Sequence, residues 1–196
     1  MSKTLIALFA AAGLCFAGAT TAQTTTTPHD KAARDQQVKS AEATYKADKD
    51  ACKSLSGNAK DICMQEAKGK EKVAKAEAKA AYDGTPKARE NARLARAEAT
   101  YDVAKEKCDD MTGNQKDVCQ KEAKATYTKA KADAKVDRIA ADTSQTAVKK
   151  TTEAKKDAIE DKRDAEYKVA VEKCDSLAGG AKDACVRDAK AKYGKT

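Results

Sequence analysis

The chain has 196 residues, of which 39 are Lys or Arg and 31 are Asp or Glu, for a formal net charge of +8. It holds no Trp, only 2 Phe, and 36% charged residues. That composition excludes a thick aromatic or aliphatic core, and with it the deep concave site around which most enzymes are built.

The chain opens with a short positive segment, Met1-Ser2-Lys3-Thr4, followed by an apolar run from Leu5 to Phe16. Ala17-Gly18-Ala19 and Thr20-Thr21-Ala22 are small-residue cleavage sites. Residues 1–22 therefore read as a secretory signal peptide, cleaved after Ala19 or Ala22. The run is shorter than the ~20 residues a membrane-spanning helix needs. Leu14 ahead of Cys15 does not suit a lipoprotein site, so Cys15 is expected to leave with the signal and six cysteines to remain. The mature chain of about 175 residues then has three leucines, Leu55, Leu94 and Leu177, and no Phe. Ala and Lys dominate it, which favours helix but buries little area. Thin helical packing with covalent crosslinks is the expected solution.

Residues 23–27 form a polar, Thr-rich leader expected to be disordered. Thr27 as N-cap and Pro28 at the first helical position predict a helix over 29–55. Gly57 is expected at its left-handed C-terminal position. Asn58 is read as the N-cap of a second helix over 59–82, with Asp61 three residues on, near the positive end of the helix dipole. Asp83-Gly84-Thr85-Pro86 is the clearest boundary: Gly ends one helix, Thr caps the next and Pro begins it. Unit 1 thus spans 28–83. Unit 2, over 84–142, has predicted helices at 86–111 and 115–141, separated by Gly113 and Asn114. Asp142-Thr-Ser-Gln-Thr146 is a polar break. Unit 3, over 143–196, has a long predicted helix at 147–177 and a short one at 181–193, separated by Gly179 and Gly180.

The units are copies. Ala41-Glu-Ala-Thr-Tyr45 recurs as Ala97-Glu-Ala-Thr-Tyr101. Each unit carries a Tyr seven residues before its first Cys, a Gly five residues after it and a second Cys eleven residues after it. Copies lie 56 and then 66 residues apart, so the third carries an insertion of ten. The register Ala97, Tyr101, Ala104, Cys108, Met111 steps by four and three, a narrow apolar seam of coiled-coil type. Asp48 interrupts the matching seam in the first copy, and Arg163 in the third.

The spacing of the cysteines decides their pairing. On one unbroken helix, eleven residues separate the thiols by about 16 Å, whereas a disulfide needs Cα atoms within about 7 Å. A chain reversal at each Gly brings the two cysteines face to face. The expected bridges are Cys52–Cys63, Cys108–Cys119 and Cys174–Cys185, in an oxidising compartment. The fold class is accordingly all-α: three disulfide-stapled antiparallel helical hairpins, about six helices, extended or loosely bundled. Metal or redox roles for these thiols are disfavoured. Zinc sites use closely spaced Cys and His, and the only His is His29; exchange enzymes use C-x-x-C. No catalytic, cofactor-binding or metal-ligating set is expected.

Stretches such as Ala67-Lys-Gly-Lys-Glu-Lys-Val-Ala-Lys-Ala-Glu-Ala-Lys-Ala80 and Lys129-Ala-Lys-Ala-Asp-Ala-Lys135 resemble the central helical region of TolA, a cell-envelope protein. The repeated hairpin also resembles small periplasmic Ala/Lys-rich proteins. The likeness is one of composition over most of the mature chain. It implies an envelope role and carries over no site residues. The cleavable signal and the third hairpin at the end depart from TolA, which keeps a membrane anchor and ends in a globular domain. The expected function is that of a non-enzymatic structural or interaction protein of the cell envelope, exported to the periplasm of a Gram-negative-type bacterium or secreted. The alternative is a basic module binding polyanions or envelope surfaces such as lipopolysaccharide or anionic lipid, with a partner protein or an anionic surface as its target. Nucleic acid is not expected, because only Tyr is available to stack on bases.

Overall fold

A computed structural model describes residues 29–142 and 147–195. The expected signal peptide, the 23–27 leader, Pro28 and most of the 142–146 break lie outside the described residues. Six helices follow in order: α1 (Lys31–Cys52), α2 (Gly57–Asp83), α3 (Pro86–Cys108), α4 (Gly113–Ala140), α5 (Ala147–Cys174) and α6 (Gly179–Tyr193). The three expected disulfides join α1 to α2, α3 to α4 and α5 to α6, with Cα–Cα distances of 5.6, 5.7 and 5.7 Å. The all-α fold of three stapled hairpins is therefore the fold of the chain.

Among the described residues, helices touch only their neighbours in sequence. The chain thus runs up and down as a single-layer ladder and does not close into a bundle. α2 packs on α3, and α4 on α5, at least as extensively as partners within a hairpin do. The three units are consequently one continuous array. Alternate connections fall at opposite edges, so all three disulfide corners lie along the same edge.

Alanine makes the core. Ala67, Ala78, Ala134 and Ala154 are nearly fully buried, and the largest fully buried side chains are Cys52, Cys108 and Cys174. Inner helices need two apolar stripes, one for each neighbour, and small side chains let both be narrow. On α3, Ala88, Ala92, Ala95 and Ala99 share the face toward α2, while Ala97, Tyr101 and Ala104 line the groove against Ala123, Tyr127 and Ala130 of α4. The closest approach is at Gly69 of α2: a Cβ there would lie 2.9 Å from the Ala99 Cβ. Ion pairs flank the seams and cross between helices, among them Lys70–Asp48 at 2.9 Å, Lys75–Glu42 at 2.9 Å and Arg138–Glu90 at 3.1 Å. Asp48, the charge that interrupts the first seam, is thus answered by a lysine of the facing helix.

Several helix ends differ from the sequence expectation. α1 begins at Lys31 with Asp30 as its N-cap, its carboxylate accepting from Ala33 N at 2.9 Å. His29 stands before it with φ 72° and donates its N–H to Tyr82 O at 2.9 Å, which ties the entry of α1 to the end of α2. The first helix of each hairpin ends at its Cys, three residues short of the expected Leu or Met. Leu55, Met111 and Leu177 therefore sit in the connections and are 42%, 41% and 44% exposed rather than in the seam. The cause is geometric: with Cys52 held against Cys63, the four residues 53–56 must cross the 8–10 Å between packed helix axes. By contrast, the boundary between units 1 and 2 is as expected. Gly84 is left-handed (φ 63°), the Thr85 hydroxyl accepts from Ala88 N at 3.1 Å, and Pro86 opens α3.

The Gly69–Ala99 contact yields a prediction. Gly69→Val adds three carbons where one already lies too close, so α2 and α3 must separate along the whole seam. A loss of about 1–3 kcal/mol is expected, read as a fall in Tm of roughly 2–10 °C. Helical circular dichroism at 25 °C should be unchanged.

Candidate functional site

Among the described residues, the repeated corner recurs in all three units, and its residues occupy matching positions. In each, the first helix ends at a fully buried Cys, and the chain crosses over through an extended residue, Ser56, Thr112 or Ala178. It then enters the next helix at a left-handed glycine: Gly57 (φ 55°), Gly113 (φ 55°) or Gly179 (φ 53°). The left-handed requirement read from the sequence is met, but at the first position of the second helix and not at the end of the first. A side chain other than glycine is strained there. The second Cys of each pair, Cys63, Cys119 or Cys185, is half-buried, while its partner shows no exposed surface. Each bridge therefore joins a fully buried cysteine to a half-buried one.

Asn58 and Asn114 do not cap their helices; Ser56 and Thr112 hold the N-cap positions. Nor are Asp61 and Asp117 in the first turn, since the helices start at the glycines. Instead the Asn58 amide donates to Glu106 O of the next unit at 2.9 Å, and Asn114 donates to Glu172 O at 3.0 Å. The two acceptors are equivalent, each two residues before the first Cys of its corner. A second link follows beside each one. Gln65 Nε2 lies 3.2 Å from Glu106 Oε1, and its counterpart Lys121 Nζ lies 3.5 Å from Glu172 Oε2. Lys107–Glu66 and Lys173–Glu122 repeat as well, at 3.8 and 2.6 Å. Corners are thus stitched to one another along the disulfide edge. The sequence did carry a signal for this: Asn stands in the two copies that a further copy follows, and Gly180 in the third. The outer face of α1 shows the same logic, with exposed Gln36 and Lys39 where α3 has buried Ala92 and Ala95. Both outer helices of the array are therefore atypical, as capping repeats are.

The tyrosines flank the corners. Tyr101 stacks on Tyr127 at 5.2 Å, and Tyr167 meets Tyr193 edge-on at 6.3 Å. Lys124 and Lys131 lie over these rings, at 5.4 and 5.3 Å from Tyr127. Between α3 and α4, Tyr101 and Tyr127 border an open groove of about 470 Å³, apolar at its middle and charged at the Arg93–Asp137 end. His29 is exposed and lies edge-on to Tyr82 at 6.0 Å.

The electrostatics are those of a paired surface. The Lys53 ammonium holds the Asp50 carboxyl below the usual carboxylate range, and Lys129 does the same to Glu166. Glu71 and Glu42 raise Lys75. All stay charged near neutral pH. Among the described residues no group of three or more His, Cys, Asp or Glu is placed to hold a metal ion, and no helix is long and apolar enough to cross a membrane. Three disulfides fit an oxidising, exported location.

If the asparagines stitch the units, Asn58→Ala should weaken the second corner and Asn114→Ala the third. About 1 kcal/mol is expected for each, seen as several-fold faster amide hydrogen exchange at 106–110 or 172–176 respectively. Gly180→Asn should leave exchange unchanged, since no further described helix faces it. The unequal burial of the paired cysteines yields a second prediction: a small thiol attacks the less buried member, so early trapped mixed disulfides should sit on Cys63, Cys119 or Cys185, as peptide mapping would show. Comparison with protein-family models, with curated proteins and with solved structures finds no match to this chain.

Proposed function

We propose that this chain is a non-enzymatic structural or interaction protein of the cell envelope, exported to the periplasm of a Gram-negative-type bacterium or secreted. The ladder serves as a stiff scaffold whose stapled edge keeps three repeated corners in line. The supporting observation is the stitching of successive corners by Asn58 and Asn114. A flexible tether has no use for such bonds, whereas a spacer or docking platform needs its units in fixed register. The TolA-like composition of α2 and α4 agrees with an envelope setting, and the N-terminal signal-type segment supplies the route there.

A second reading, a module binding polyanions such as lipopolysaccharide, draws on one region. Lys149, Lys150, Lys155 and Lys156 of α5 are exposed, and none is in an ion pair with a described residue. Elsewhere most lysines between helices face carboxylates, which makes this reading the weaker one.

Expression of the full chain in a Gram-negative host tests the proposal. The expected product is periplasmic, begins at Thr20 or Gln23 and carries three local disulfides in non-reduced peptide mapping. Spin labels on α1 and α6 should show one narrow distance distribution that broadens on reduction. Retention of an unprocessed, reduced chain in the cytoplasm, or a broad distribution before reduction, overturns it. Heparin or lipopolysaccharide affinity that falls as salt rises favours the second reading instead.

A further inference from the structure

The last hairpin is lopsided. α5 has 28 residues and α6 has 15. α6 has a built stop, with left-handed Gly194 (φ 62°) and Lys195 N donating to Lys190 O at 2.9 Å. From the Cys174–Cys185 bridge it runs back along α5 only as far as Asp164, whose carboxylate pairs with Lys195. Below that point α5 keeps α4 on one side, through buried Ala154 and Ala158. The side that α6 covers higher up has no neighbour among the described residues.

The seam of α5 changes character at that step. From the corner it reads Cys174, Ala170, Tyr167, then Arg163, Glu160, Lys156, Glu153, Lys149, in unbroken steps of four and three. On α3 the same seam stays apolar at Ala97 and Leu94, because α4 continues beside it. Lys149, Glu153, Lys156 and Glu160 are exposed, and none is in an ion pair with a described residue. Beside this stripe lie Val148, 79% exposed, and Ile159, 65% exposed, three turns apart on one face. They are the most exposed of the large hydrophobic residues described.

We propose that this uncovered half of α5 docks on the same surface of a second copy of the chain, the two α5 helices running antiparallel about a two-fold axis between Ala154 and Lys155. The charges select this arrangement. With that axis, Lys149 opposes Glu160 of the other copy, and Glu153 opposes its Lys156. Symmetry repeats both, which makes four unlike pairs. Val148 then falls beside the second copy's Ile159. Parallel pairing in register sets Lys on Lys and Glu on Glu. Moving the antiparallel axis to Lys156 sets Lys156 on itself, and moving it to between Lys156 and Asp157 sets Glu153 on Glu160. Like charges so placed suppress the wrong registers. The step helps too: where α6 stops, the α5 of the second copy takes its place. The inference rests on the α5 stripe and is independent of the envelope reading.

The test uses the full, oxidised chain in sedimentation velocity over a range of concentrations. A monomer–dimer equilibrium is expected at low salt, with Kd rising about tenfold or more between roughly 0.02 and 0.5 M ionic strength. The double variants Glu153→Lys/Glu160→Lys and Lys149→Glu/Lys156→Glu each make the stripe one sign and should be monomeric. Mixed, they should form a heterodimer. Circular dichroism confirms that each variant keeps its helices, as expected for exposed positions. A wild-type chain that stays monomeric throughout shows the stripe to be a solvated face and overturns the proposal. So does a wild-type dimer that the double variants leave intact, or a mixture that fails to associate.

Discussion

Everything in this molecule depends on the covalent closure of a corner between two thin helices. A pair of helices facing each other through alanine gains little from burial. A disulfide closing a short loop contributes roughly 2–3 kcal/mol, chiefly by restricting the unfolded chain. It also sets local geometry. Holding Cys52 5.6 Å from Cys63 forces α1 to stop at the cysteine and the chain to cross over in four residues, which leaves Gly57 to accept the left-handed entry into α2. The exposed positions of Leu55, Met111 and Leu177 follow from the same constraint.

Small side chains then turn hairpins into an array. Because alanine stripes are narrow, one helix can carry two of them, and α2 through α5 each serve two neighbours. Gly69 against Ala99 is the extreme case. A chain with bulky core residues would gather its helices around one centre; this one has nothing to gather around, and it spreads into a layer. Ion pairs along the seams are individually weak. Their repetition, with the two Asn bonds, holds the units in register. At the ends of the layer the pattern changes: Gln36 and Lys39 mark one outer helix, and Gly180 with the charged seam of α5 marks the other hairpin.

Much of the corner was legible in the residues. The recurring Tyr, Cys and Gly spacing determined where the chain reverses, and the reversal determined which cysteines can meet. The Gly84-Thr85-Pro86 boundary was legible to the residue, because each of its three side chains has a backbone reason to be where it is. Asn58 was legible as a polar turn residue and misread as a cap. An amide that donates to a carbonyl 48 positions away leaves no local mark. Its role shows only in the contrast between Asn114 and Gly180. The contact of exposed His29 with Tyr82 leaves no local mark either, because Tyr82 lies at the far end of the hairpin.

The sequence by itself determined the helices and the bridges. These depend on local propensity and on spacing along the chain, and distance in sequence limits which cysteines can meet. Tertiary structure alone decided that the hairpins join into one layer, that the corners share an edge and that half of α5 is left uncovered by the other described helices. Those outcomes depend on which of two similar alanine stripes meets which neighbour. Stripes of one kind of residue do not name their partners, so only the packed helices reveal the choice.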